Sequence, residues 1–456
     1  MPRPLRLRST SRLGLVLLVL FGAADRALAA ADGFLDTSFH TTGMFHEGSP
    51  GTLRGEGALA APDGALVLFG SYQSSGAIDY AHWRRVTDAG QDAGCNTKPS
   101  TQAAFEILDG TFDLQGRLLL VGQLAGDPVA LMVARYLYPA CTPDTSFNGD
   151  GFISLQLDRD LRAFGVGVQA SGKIVVAANY FANPANGILL ARFSDTGILD
   201  GAFGDGGYAI YDPVGTYEYG YAMKLDGLDR PVVAGGTKTN VDTDDDSMLG
   251  LRFTADGDPD SSFAHDGSTV VAIHLIIEGS ANAYGVAIAP DNRVALVGYA
   301  EAAGGWSPAV VLLTAAGTPD PAFDGDGVGS YWAAGASQQI FLTDGVFQGD
   351  GRLVVSGSWS QPAGDAKSAM VLRLKADGAM DGTFGFFATA LYDFDLGGGD
   401  NDIAQGLALE NGRVVLAGTT NRDASNDDGF LIRLANGYIF ADGAEGGSFR
   451  AWSVHP

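Results

Sequence analysis

Cysteine is almost missing from this chain: Cys95 and Cys141 are the only two in 456 residues. That excludes a small disulfide-stapled scaffold and a cysteine-rich metal site, leaving either one bridge or two buried thiols. Basic residues are scarce, with 28 Lys and Arg against 53 Asp and Glu and a net charge of −25. A field of that sign repels nucleic acid and anionic lipid. Past residue 24 no apolar run reaches the roughly 20 residues needed to cross a bilayer, so no membrane span is expected. The specific catalytic signatures are missing as well. There is no Gly-x-Ser-x-Gly, His-Glu-x-x-His, Gly-x-x-x-x-Gly-Lys-Ser/Thr or Cys-x-x-Cys.

What is abundant is glycine, 65 residues of it, in a chain with 18% charged residues. This suits short strands and tight turns rather than helices. The N-terminus reads as a secretory signal over residues 1–29. Arg3, Arg6, Arg8 and Arg12 precede the apolar run Leu13 to Ala24, and Ala27-Leu28-Ala29 supplies a small-x-small cleavage site. Removing it takes away five Arg and one Asp, moving the net charge from −25 to −29. Export to the periplasm or beyond is expected, where a Cys95–Cys141 disulfide would be favoured.

A five-residue pattern, Leu/Pro/Met-Asp-x-x-Phe, recurs with its Asp at 36, 144, 200, 260, 320 and 381. Gln91-Asp92-Ala93-Gly94-Cys95 fills the long first gap as a degenerate copy, with Cys95 in the Phe slot. A second marker, a turn and an apolar run, ends at Gly70, Gly122, Ala178, Gly235, Gly298, Gly357 and Gly418. Each unit holds four strand candidates, the first with small residues at Gly57, Gly110, Gly165, Gly220, Gly285, Gly345 and Gly406. The expected fold is all-β: a seven-bladed β-propeller of four-stranded antiparallel blades. The last unit lacks an Asp-x-x-Phe hairpin and the first copy has no blade before it. The N-terminal strand is therefore expected to complete the last blade and close the ring, removing open sheet edges. Residues 30–437 form the propeller on this reading, with 438–456 a tail outside the repeats.

The hairpin, the Gly-Lys/Arg-aliphatic strand (Gly172-Lys173-Ile174-Val175, Gly351-Arg352-Leu353-Val354) and the Leu-x-Arg-x strand (Leu190-Ala191-Arg192, Leu372-Arg373) together resemble the delta-60 repeat β-propellers of secreted bacterial proteins. The likeness covers about residues 33–437, with departures at Ala178, at Leu312 in the strand-Arg position and in the eroded first blade. It implies an extracellular propeller and no common activity. The tail from Tyr438 to Trp452 looks like the short Phe-x-Asp-Gly-x-Glu ends of some exported bacterial proteins.

The repeated Asp, present in every unit, is read as a turn residue accepting backbone amides, with the strand Arg (85, 135, 192, 252, 373, 433) pairing with it. Function is sought where units differ: the loops between second and third strands, two of which carry Trp306 and Trp359, and the residues before the inner-strand Gly. These are Glu56, Asp109, Phe164, Tyr219, Tyr284, Asp344 and Gln405, around one opening able to take a small polar ligand or a sugar. The acidic loop Asp242-Thr243-Asp244-Asp245-Asp246, and Asn421, Asp423, Asp427 and Asp428, are candidate Ca²⁺ ligands that read first as solvated turns, so no cofactor is expected. The leading expectation is a monomeric, non-enzymatic binding or scaffold module for an extracellular partner. The alternative is a propeller hydrolase or lyase acting on a polysaccharide, with Glu56, Asp109 or Asp344 as acid and base, with or without Ca²⁺. Adhesion through the acidic loops is a third.

Overall fold

The computed structural model describes residues 33–47, 52–73, 78–94, 105–181, 186–239, 246–271, 279–302, 305–331, 339–360, 367–385, 389–392, 401–423 and 426–435. The signal segment 1–29, the tail 438–456, Cys95 and Asp242 to Asp245 lie outside them. The expected Cys95–Cys141 bridge falls there with its first partner. Among the described residues there is no helix, hence none long and apolar enough to cross a membrane.

The first strand is β1 (Met44–His46), followed by a sheet of β2 (Thr52–Ala60), β3 (Leu66–Gln73) and β4 (Ile78–Val86). Next come β5 (Phe105–Phe112), β6 (Leu118–Leu124), β7 (Ala130–Leu137), the two-residue β8 (Thr142–Pro143) and β9 (Phe152–Leu155). Two regular four-stranded antiparallel sheets follow. One holds β10 (Asp160–Val168), β11 (Ile174–Phe181), β12 (Asn186–Phe193) and β13 (Tyr208–Tyr211); the other holds β14 (Tyr217–Leu225), β15 (Pro231–Lys238), β16 (Ser247–Arg252) and β17 (Ser268–Val271). Then β18 (Ala281–Ile288), β19 (Val294–Ala302), β20 (Gly305–Leu313) and β21 (Val328–Ser330) meet β22 (Gln339–Phe347), β23 (Leu353–Ser360), β24 (Lys367–Leu374) and β25 (Thr389–Tyr392) through a single parallel bridge, Trp306 to Gln339. The last sheet is β26 (Ile403–Glu410), β27 (Arg413–Asp423) and β28 (Asn426–Arg433), and its fourth strand is β1, with Phe45 opposite Leu431.

These strands form because their apolar runs are buried on both faces, between neighbouring sheets. Leu119, Val121 and Val133 pack on Leu161, Val166 and Val176 of the next sheet, and Phe39, Leu66 and Leu68 pack on Val415, Ala417 and Leu431. Each such side chain contributes about 1.5–3 kcal/mol of apolar burial. The innermost strands approach closely: a Cβ on Gly406 would lie 2.9 Å from the Gly57 Cα, so β2 and β26 keep glycine there.

The recurrent motif is a clamp. Arg135, Arg192, Arg252, Arg373 and Arg433 are almost fully buried, and each donates from Nε to the motif carboxylate at 2.7–2.9 Å. Each guanidinium also lies 4.3–4.8 Å from the ring centre of the motif Phe. The other carboxylate oxygen takes the amide two residues on, as Asp260 does from Ser262 at 3.0 Å. Burial raises the pKa of Asp260, but the Ser262 and Arg252 bonds outweigh it and hold the carboxyl below its ordinary range. Position 312 is Leu in this series, and Asp320 relies on Arg293 from the first turn of its sheet, at 3.4 Å.

The degenerate copy differs from the sequence expectation by one residue. Val86 bridges Asp92 as Phe193 bridges Leu199, and Ala93 N–H donates to the Arg85 carbonyl as Asp200 N–H does to that of Arg192. Ala93, not Asp92, therefore stands where the motif Asp stands, and the expected Phe-slot residue, Cys95, lies outside the described residues. Arg85 turns to Asp63 and Tyr138 instead.

Candidate functional site

Every inner strand carries a β-bulge at the same place. In β2 the register slips between Gly55 and Gly57, and in β26 between Ala404 and Gly406. The bulge explains the second sequence marker: a Cβ on Gly70, Gly122, Gly235, Gly298, Gly357 or Gly418 would run into a backbone carbonyl of the facing inner strand. A bulge re-aims one side chain. The seven so displaced are Glu56, Leu108, Phe164, Tyr221, Tyr284, Thr343 and Gln405, and all line one cavity of about 300 Å³ bordered by β2, β5, β10, β14, β18, β22 and β26.

Six of the seven residues expected from sequence line it: Glu56, Asp109, Phe164, Tyr284, Asp344 and Gln405. Tyr219 does not. It precedes its bulge, and Tyr221 takes the place. Lys238 lies 5.9 Å from the Tyr219 ring instead. Asp109 and Asp344 enter for a different reason from the one expected. The register puts them, not Gly110 and Gly345, where β2, β10, β18 and β26 have Gly57, Gly165, Gly285 and Gly406. Two carboxylates thus occupy the most crowded position, and backbone amides satisfy them. Asp109 Oδ2 accepts from Val166 N–H at 2.9 Å and Asp344 Oδ2 from Leu407 N–H at 2.8 Å, each on the adjoining sheet.

Sequence reasoning missed Lys224, the one Lys or Arg among the cavity's lining residues. It sits two positions beyond Ala222 on β14, hence on the same face. Burial depresses its pKa, but Asp109 and Asp344 more than offset that and raise it. Burial raises both carboxyls in turn, and Lys224 only partly opposes it. Glu56 is raised as well: burial, then the charge of Glu106, push its pKa up to about 7. Its Oε2 accepts from Gln405 Nε2 at 3.1 Å, and Thr419 Oγ1 donates to Gln405 Oε1 at 3.0 Å, fixing which way that amide points. A carboxyl half protonated at neutral pH can give or take a proton.

Among the described residues no cluster of three or more His, Cys, Asp or Glu is arranged to hold a metal. Asp246 bonds to Asn282 Nδ2 at 3.1 Å.

Residues 289–323 and 348–384 match the family model described as a domain of unknown function (DUF5122) beta-propeller. Those segments span the turn, second and third strands and Asp-x-x-Phe hairpin of two units, the residues on which the delta-60 resemblance rests. No functionally curated protein matches the sequence. Among solved structures the chain is similar to the polysaccharide lyase Uly1, with a TM-score of 0.51, 10% identity, and 90% of this chain and 98% of that one covered. A PL25 ulvan lyase follows at a TM-score of 0.42 and 10% identity, covering 74% and 77% of the two chains. Penicillium chrysogenum α-L-arabinanase in complex with arabinobiose gives 0.39 at 10% identity over 72% and 93%. At these identities the likeness to Uly1 is one of fold. A fold that carries polysaccharide cleavage in Uly1, with a protonatable carboxyl beside two more in the cavity, overturns the expectation of a non-enzymatic module.

Proposed function

We propose that the protein is an exported, monomeric seven-bladed propeller that cleaves a polysaccharide in the cavity bordered by its inner strands. The N-terminal strand closes the ring, a reading supported by the β1–β28 pairing and the Arg433–Asp36 ion pair. The observation that carries the activity is Glu56. Its carboxyl, raised to about 7, retains a proton at the pH where an ordinary glutamic acid has lost it. As general acid it gives that proton to the glycosidic oxygen as the C1–O bond breaks. Water adds to C1 and passes its proton to whichever of Asp109 and Asp344 is ionised, a state that burial opposes and that Lys224 and backbone amides favour. Hydrolysis fits the residues better than β-elimination. A lyase must neutralise a uronate carboxylate, whereas Lys224 already faces two carboxylates.

The test is a panel of neutral and uronate-containing polysaccharides, assayed for reducing ends and for the 235 nm absorbance of an unsaturated uronate. Wild type should release reducing ends without absorbance, and Glu56→Gln should lose about 10²- to 10⁴-fold in rate. Full activity in Glu56→Gln sinks the assignment, and absorbance at 235 nm replaces hydrolysis with elimination.

A further inference from the structure

The cavity is not isolated from the rim. Tyr221 and Tyr284, both lining it, are stacked with ring centres 4.4 Å apart, and Tyr284 stacks on Tyr299 at 5.6 Å. Tyr299 meets Trp306 edge-on at 4.7 Å and Phe341 at 5.0 Å. Trp306 opens β20 and Phe341 lies near the start of β22, at the end of the strands where the loops between second and third strands cluster. The rings form one continuous path from that end into the cavity. A second aromatic group, around Trp83, Tyr136 and Phe152, is closed inside a buried core; this path differs in reaching the cavity and in being edged with polar atoms. Asn282 Nδ2 lies 3.4 Å from the Tyr299 hydroxyl and 3.1 Å from Asp246 Oδ2.

Apolar ring faces bordered by fixed donors and acceptors are what a pyranose requires, since it offers C–H groups on its faces and hydroxyls around its edge. The charge selects which pyranose. Glu56, Asp109 and Asp344 line the cavity against Lys224 alone, Asp246 stands beside the path, and the whole chain is acidic at −25. A uronate or sulfate ester in the cavity would meet three lining carboxylates, and the one lining cation, Lys224, already faces two of them.

We infer that Tyr221, Tyr284, Trp306 and Phe341 form a binding track for an uncharged glycan chain, leading from the loop face into the cavity and discriminating against anionic polysaccharides. This rests on the glycan-cleaving reading for its occupant and is tested separately from it, by binding rather than turnover.

Calorimetry and tryptophan fluorescence with neutral β-1,4-linked hexose hexasaccharides and with hexagalacturonate make that test, on wild type and on Glu56→Gln. The neutral oligosaccharides should bind both and change the Trp fluorescence; hexagalacturonate should not bind. Trp306→Ala and Tyr284→Ala should weaken binding about tenfold each, while Trp306→Phe and Tyr284→Phe, which keep a ring, should retain most of it. Binding without any cleavage would leave the track standing and remove the catalytic role of Glu56. Tighter binding of hexagalacturonate than of neutral sugars, no binding of neutral sugars by wild type, or unaltered affinity in both alanine variants would overturn the track.

Discussion

The outer clamp and the inner bulge are two positions of the same repeat, and they have diverged by opposite amounts. At the clamp, five units reproduce one arrangement within tenths of an ångström: Arg to Asp at 2.7–2.9 Å and Arg over Phe at 4.3–4.8 Å. At the bulge, backbone geometry recurs just as faithfully, yet the displaced side chains are Glu, Leu, Phe, Tyr, Tyr, Thr and Gln. Identical residues at identical places can only do the same thing several times, which suits a scaffold. Different residues aimed at one cavity make an asymmetric lining, which a ligand or a reaction needs.

The comparison breaks first if the scaffold does not depend on its seam. Residues 33–47 supply the buried Phe39 and Phe45, the partner strand of β28 and the carboxylate of Arg433. Deleting residues 30–47 should cost at least about 5 kcal/mol, chiefly from two lost Phe side chains, because Arg433 loses Asp36 but keeps Asp88 and Glu410. Urea unfolding measures it, and a truncated protein as stable as the parent would refute closure by β1. Next in size is one clamp. Arg373 and Asp381 are each about 1% exposed, so Arg373→Ala takes the shorter of two ion pairs from a buried carboxylate, leaves it Arg352 at 3.3 Å, and should cost about 3 kcal/mol.

The cavity should respond to pH where the clamps do not. Glu56 has a folded pKa of about 7 against 4.5 for the free side chain, so between these values the folded state holds a proton that the unfolded state has released. Stability contributed here falls as pH rises through that window and stays low above it. Glu56→Gln removes the dependence and should stabilise the protein at pH 8 by on the order of 2 kcal/mol, discounted for cavity water, with little effect at pH 4.5. Equal melting-temperature changes at both pH values would mean that Glu56 ionises normally.

Much of this was legible in the sequence because repetition averages out local ambiguity. The Asp-x-x-Phe spacing and the Gly-ended runs located the sheets, and the missing last hairpin pointed to the pairing of β1 with β28. The cavity was legible only within one residue. A bulge shifts side-chain parity by one, so counting back from a Gly found Glu56 and Gln405, overshot to Tyr219 in place of Tyr221, and reached Asp109 and Asp344 through the wrong glycine. Lys224 carried no signal, because its place is defined by two carboxylates on strands far from it in sequence. The aromatic path was hidden for the same reason: Tyr221, Tyr299 and Phe341 meet only across sheets.

The smallest effect tests the comparison from within the scaffold. Arg85 occupies the register position of Arg192 and Arg373, but Ala93 gives it no motif carboxylate, and it bonds to Asp63 at 2.6 Å with both partners partly open to solvent, at 24% and 35% exposure. Nothing is left buried and unpaired when it is removed, since Asp63 turns to water and Tyr138 keeps its bond to Asp63. Arg85→Ala should therefore cost less than about 1 kcal/mol, against several for Arg373→Ala. If the two variants unfold at the same urea concentration, burial of the ion pair is not what makes the clamp matter. The recurrence of Asp-x-x-Phe would then reflect the turn and its Phe alone.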